Sequence, residues 1–175
     1  MDISGCAGLS LIVDRESGRC IATTAWEDEA AMRAGERPVE SIRQEAAEHF
    51  GGSVVKVERW EIAYMHREHR AAEGARVRCT WLRLPDVERG LDAFRTRVLP
   101  RVEEMEGFCS ASFFLDRESG RAVSAIAWDG QDALDHTRDQ MTELRSSVTS
   151  AIGAEVEDVA EFELAIAHLR APELV

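Results

Sequence analysis

The chain reads as an α+β protein made of about one and a half copies of a βαββαβ unit. Three observations predict this. Residues 5–66 align with residues 107–168 at a constant offset of 102 and without a gap. Each copy opens with two β-rich runs around the same six-residue turn, Asp14 to Arg19 and Asp116 to Arg121. After that turn the spacing of apolar residues changes from a strand period to a helical one.

Taken in order, each copy begins with a β-run, Leu9 to Val13 or Ser112 to Leu115, followed by Asp-Arg-Glu-Ser-Gly-Arg and a second run ending at Trp26 or Trp128. Glycine in fifth place admits a positive φ, so the segment is predicted as a β-hairpin with a four- or five-residue loop. Met32, Val39, Ile42, Ala46 and Phe50 then share one helical face, as do Leu134, Met141, Leu144, Val148 and Ile152. Gly51 and Gly153 follow as helix stops. A last strand is predicted over residues 57–66 and 159–168. Alternation there puts Trp60, Ile62, Tyr64 and His66 on one side, and Phe162, Leu164, Ile166 and His168 on the matching side.

Only the second copy has a strand and a helix in front of this ββαβ pattern. Val77 to Leu84 is the strand, and Val87, Leu91, Phe94, Val98 and Val102 mark the helix. Asp86 suits its N-cap and Pro100 should kink or divide it. That addition completes the split βαβ arrangement of a ferredoxin-like unit. The units are therefore a shortened repeat over 1–66, a polar connection over 67–76 and a complete repeat over 77–175. The segment missing from the first copy would supply a central strand. An upstream start, a partner chain or a rearranged first half would each account for it. The first predicts a native chain longer by about 40 to 50 residues, the length of a strand, a helix and ordinary loops.

Composition narrows the function classes. A net charge of −12, with basic residues scattered among acids, argues against nucleic acid as a partner. Apolar runs such as Leu9 to Val13 are far below the ~20 residues needed to span a bilayer. No basic, apolar leader opens the sequence, so a cytoplasmic address is expected. Cys6, Cys20, Cys79 and Cys109 have no CxxC spacing and sit in apolar runs, so they are expected as free, buried thiols.

The hairpin followed by Ala-Trp-Glu/Asp-x-Glu/Gln-x-Ala, at Ala25 to Ala31 and Ala127 to Ala133, resembles the antibiotic biosynthesis monooxygenase superfamily. So does the passage from Leu99-Pro100 to Glu106-Gly107-Phe108. The resemblance, chiefly to tandem members from actinobacteria, implies a two-sheet α/β barrel, formed by a dimer or by a pseudo-dimer within one chain, and a homo-oligomer is expected. It also implies cofactor-independent oxidation of planar aromatic or quinol-like substrates. The haem-degrading branch uses an Asn, a Trp and a His. This chain has no Asn, so that triad does not carry over.

Candidate chemistry follows from the residues that recur and those that do not. Trp26 and Trp128 stack on a flat ligand or, more plainly, close the core at a strand-to-helix corner. Trp60 and Tyr64 extend the aromatic face. His66 and His168 suit a general base near neutral pH, but their recurrence in both copies favours architecture. His136 replaces Ala34 of the first copy, an asymmetry that fits a single site. Glu61 and Glu163 lie mid-strand among apolar neighbours and need a cation, for which the repeated Arg43 and Arg145 are candidates. His66 and His69 form only an HxxH pair, short of a metal site, and neither a metal nor a cofactor is expected. The expected ligand is a small apolar or aromatic molecule. The alternative is a non-catalytic ligand-binding or stress-associated barrel whose repeat is purely structural.

Overall fold

A computed structural model describes residues 3–169, apart from the side chain of Leu169. Its elements run β1 (Cys6–Val13), β2 (Cys20–Trp26), α1 (Glu29–His49), β3 (Glu61–Arg67), β4 (Arg76–Arg83), α2 (Val87–Ala93), a π turn (Phe94–Val98), α3 (Leu99–Glu103), β5 (Phe108–Asp116), β6 (Arg121–Trp128), α4 (Gln131–His136), α5 (Arg138–Ile152) and β7 (Glu155–Leu169). The strands form one curled, antiparallel sheet in the order β2-β1-β7-β4-β6-β5-β3.

The central four strands, β7-β4-β6-β5, are the ferredoxin-like sheet of the complete repeat. The first repeat is divided around it. Its hairpin joins one edge through β1 and β7, and its last strand joins the other through β3 and β5. The two pairings between repeats are equivalent in register, Leu9 facing His168 as Ala111 faces His66.

Both hairpin turns form as expected. Gly18 and Gly120 adopt φ of +72° and +69°, and their N–H groups donate to the carbonyls of Asp14 and Asp116 at 2.9 and 3.0 Å. Asp86 caps α2 by accepting from the Arg89 N–H at 3.0 Å. Pro100 does not break its helix. It lacks the N–H that would continue the α ladder, and the preceding turn widens instead, so that the Leu99 N–H bonds back to the Phe94 carbonyl. The helix after β6, predicted as one, is divided at Thr137, whose hydroxyl donates to the carbonyls of Ala133 and Leu134 at 2.9 and 3.1 Å.

The last strand of the first repeat starts at Glu61, and residues 53–60 are irregular. Their equivalents, 155–162, pair with β4. The first repeat has no counterpart of β4, and without a partner a strand has no ladder to join. The same lack leaves Phe50 73% exposed on α1, where its equivalent Ile152 is 8% exposed on α5. A register shift between Ile62 and Tyr64 also breaks the predicted alternation in β3. Trp60 packs on one face of the sheet with Trp81 and Phe162, and Tyr64 on the other with Phe94.

Two apolar layers result. Arg78, Thr80 and Leu82 alternate with Val77, Cys79 and Trp81 along β4, and Leu84 follows it. Leu82 and Leu84 belong to the layer beneath the helices, and Val77, Cys79 and Trp81 to the layer on the opposite face. All four cysteines are free, but only Cys79 and Cys109 are buried. Cys20 is exposed on the unpaired side of β2. Among the described residues no helix is long and apolar enough to cross a membrane.

Candidate functional site

The helix-side layer of the second repeat encloses a small cavity of about 60 Å³ between β4, β5 and β6 below and the α2 to π-turn segment and α5 above. Leu82, Phe94, Phe113, Ile126 and Met141 make its walls apolar. Four polar groups line it, Thr149 of α5 among them. Thr80 and Ser124 stand opposite each other on β4 and β6, and Arg145 comes from α5. The π turn contributes Phe94 and Val98, so the widened helix is itself part of the wall.

Positive charge gathers at one side. Arg78 is 3% exposed. Its Nε donates to Glu161 at 2.9 Å and its Nη2 to the Leu134 carbonyl at 2.9 Å, while Nη1 is buried without a hydrogen-bond partner. Arg145 lies near enough that burial and the Arg78 charge both push its guanidinium down from the usual arginine range. Its hydrogen bond is to the Thr142 hydroxyl at 3.4 Å, and no carboxylate among the described residues lies within ion-pair distance. Arg145, which lines the cavity without a carboxylate partner among the described residues, thus brings positive charge to apolar walls, with the Arg78 guanidinium close enough to add to it.

None of the tryptophans, histidines or glutamates offered by the sequence as site residues, nor Tyr64, lines this cavity. Trp128 is fully buried in the core, and its indole N–H has no partner. It meets Phe108 edge-on at 6.2 Å, and His66 stacks on the same Phe108 at 6.3 Å. His66 Nε2 lies 3.1 Å from Glu103. Trp26 donates to the Thr24 hydroxyl at 3.2 Å and lies against Gly35 of α1, where a Cβ would come within 2.0 Å of the ring. Both tryptophans thus close strand-to-helix corners. Trp60 lies under the Arg121 guanidinium at 5.4 Å. Tyr64 comes closest to the cavity, through an edge contact to Phe94 at 5.8 Å. His168 is exposed opposite Leu9 where β7 pairs with β1.

Glu61 and Glu163 do find arginines, but not Arg43 or Arg145. Arg117 binds Glu61 and Arg15 binds Glu163, each from the hairpin turn of the other repeat. The turn's second residue, rather than the helix, is within reach of the mid-strand carboxylate. Each bond to arginine holds its glutamate below the usual carboxylate range.

His136 lines a different feature, an open depression of about 760 Å³ bounded by residues 104–107 and 129–140. Asp129 is on its rim. There His69 Nε2 meets Asp129 Oδ1 at 2.8 Å and the Cys109 thiol donates to the same oxygen at 3.1 Å. Hydrogen bonding to His69 and Cys109 holds Asp129 below the usual range, and burial with the Asp129 carboxylate pushes Cys109 up to about 12. Sequence reading paired His69 with His66; the fold pairs it with Asp129 instead.

The sequence offers Arg145 only as a cation for the strand glutamates, not as a cavity group, and Arg78 leaves the faint signal of a charge inside the apolar run Val77 to Leu84. Nothing in the spacing of His69, Cys109 and Asp129 announces their meeting, since sheet topology brings them together.

No family model matches the chain. Two uncharacterised proteins of Mycobacterium tuberculosis are 53% and 55% identical to it over 175 and 177 residues. The matches cover 99% of this chain and 78% and 75% of those proteins. Among solved structures, an anthrone oxidase-like protein superposes with a TM-score of 0.69 at 12% identity, covering 99% of this chain and 83% of that one. A Listeria monocytogenes ferredoxin-fold protein related to antibiotic biosynthesis monooxygenases superposes with a TM-score of 0.54 at 9% identity, covering 91% and 82%. At these identities the likeness is one of fold.

Proposed function

Because the chain belongs to the same family as these two mycobacterial proteins, on the fold of monooxygenase-like neighbours, we propose that it binds a small planar, largely apolar molecule in the cavity of the second repeat and oxidises it with O2, using neither metal nor flavin. The observation that carries this reading is the cavity itself, apolar on its walls and met by Thr80, Ser124 and Arg145.

The substrate class is a quinol-like or anthrone-like aromatic with an acidic C–H or O–H. Loss of that proton to a water molecule leaves an oxyanion, which the Arg145 guanidinium stabilises, with Arg78 behind it, in a site of low dielectric, and the proton is taken back when water leaves. The electron-rich anion then reacts with O2. For a ring methylene the carbon loses two hydrogens and gains one oxygen, and the second oxygen leaves as water. No outside reductant is needed. A cavity volume of about 60 Å³ is below the ~150 Å³ that takes up benzene in an engineered cavity, so entry requires Met141 and Leu144 of α5 to give way.

A second reading, a binding protein without turnover, is favoured by one observation: among the described residues no histidine or carboxylate lines the cavity to act as base. Anthrone and O2 separate the two. The enzymatic reading expects one O2 consumed per anthraquinone formed, lost in Ser124→Leu, which fills the cavity, and much reduced in Arg145→Gln. Saturable anthrone binding without O2 uptake leaves the binding reading. Neither binding nor turnover removes both.

A further inference from the structure

We propose a binding site for a divalent transition metal of the zinc type at His69, Cys109 and Asp129. Their donor atoms, an imidazole nitrogen, a thiol sulfur and a carboxylate oxygen, all lie within 4.8 Å of one another. They come from three separate parts of the chain: the segment after β3, the start of β5 and the turn after β6. Backbone bonds fix that meeting. The N–H groups of Glu68 and His69 donate to the Cys109 carbonyl at 2.9 and 3.3 Å, and the Asp129 N–H donates to the Gly107 carbonyl at 2.8 Å. The backbones that carry the three side chains are thus placed by the sheet.

Asp129 Oδ1 is the hub, accepting the thiol at 3.1 Å and lying 2.8 Å from His69 Nε2. A tetrahedral metal with bonds of about 2.0–2.3 Å holds its ligand atoms roughly 3.3–3.8 Å apart. The two edges at Asp129 reach that spacing by opening roughly half an ångström, and the remaining edge, within 4.8 Å, by closing about 1 Å or less beyond the tetrahedral range. Binding would displace the thiol proton to solvent and put a metal–sulfur bond in place of the bond to Asp129. A mixed N, S and O donor set selects zinc-like ions over magnesium and calcium, which take oxygen. Cys109 is buried beneath, whereas His69 and Asp129 are exposed. The fourth position therefore faces outward, toward the depression that Asp129 shares with His136. Three protein ligands and an open position are the pattern of a site that takes water or a small ligand.

The repeat adds an independent argument. The equivalents of Cys109 and Asp129 in the first copy are Ala7 and Glu27, and His69 lies in the connection between copies. The cluster is not a by-product of the duplicated architecture.

Titration of the purified, chelator-treated chain with Co2+ tests the site. One equivalent should bind with a near-ultraviolet thiolate-to-cobalt band, and Zn2+ should displace it. Cys109→Ser should abolish the band. His69→Ala, an exposed position whose loss spares the core, should weaken binding by at least the ~10–100-fold that disturbing a metal's outer shell costs. Cys79→Ser should change neither. Absence of a thiolate band overturns the proposal, as does a band that survives in both Cys109→Ser and His69→Ala. The three residues would then be a hydrogen-bonded latch alone.

Discussion

The Arg117 guanidinium grips the Glu61 carboxylate through two bonds, Nε to Oε2 at 2.6 Å and Nη2 to Oε1 at 3.0 Å. Arg15 holds Glu163 in the same way, with both bonds at 2.8 Å. The contact is crossed, since each arginine sits in the hairpin turn of one repeat and each glutamate in the last strand of the other. Repetition of the turn and of the mid-strand glutamate is thereby explained as a join between halves.

The join should be measurable as coupling. In a double-mutant cycle of Arg117→Ala and Glu61→Gln, the interaction is expected at about 0.2–1 kcal/mol, the range of exposed pairs. Its bidentate geometry favours the upper part of that range. Urea unfolding of the four proteins checks it, and strict additivity would show that the bond contributes nothing to stability.

The same carboxylates set an acid limb. Glu61 and Glu163 are held below their ordinary range by Arg117 and Arg15. A depressed folded-state pKa adds stability that is fully present above the unfolded value, about 4.3. It is lost as pH falls below that value and through the folded pKa. Thermal unfolding from pH 7 to pH 3 should therefore decline more steeply in this lower window for the natural chain than for the double variant Glu61→Gln, Glu163→Gln.

Two identical turns should respond differently to one substitution. Gly18 and Gly120 both hold a positive φ, so alanine is strained at either, by about 1–2 kcal/mol. A Cβ on Gly18 meets nothing within 4 Å, but on Gly120 it comes 2.9 Å from the Leu84 carbonyl oxygen. Gly120→Ala should cost more than Gly18→Ala in chemical denaturation. Equal losses would mean that the Leu84 backbone moves aside freely.

The contrast shows what could and could not be read from the chain. The turn, its glycine and the hairpin were legible because their causes are local. The carbonyl of Leu84 directly follows β4, present in one repeat only, and no local pattern gives its distance from Gly120. The same holds for the site. Trp26, Trp128 and Glu163 stood out because they recur, and recurrence proved to mark corners and joins. Arg78 and Asp129 acquire their surroundings only when β4 pairs with β6 and the β6 end meets β5. A break in alternation at Ile62–Tyr64 likewise needs its partner strand to be seen.

Arg78 and Glu161 should be unequal when lost. Glu161→Ala leaves Arg78 as a buried cation holding only the Leu134 carbonyl, at a cost of about 3 kcal/mol, the lower end for a broken buried pair because Glu161 is partly exposed. Arg78→Met replaces the cation by an apolar chain of similar length and leaves Glu161 bonded to Arg138 at 2.9 Å. Its cost should be smaller. Equilibrium unfolding of the two variants decides the order.

The strand order has one more consequence. The hairpin of the first repeat and its last strand occupy opposite ends of the sheet, with all four strands of the second repeat in between. Duplication in the sequence has not produced two modules in space. Force or loosening applied at β3 reaches β1 along the backbone or through the hydrogen-bond ladders of the other repeat, so the central sheet acts as the hub through which the outlying pieces of its shortened twin are registered.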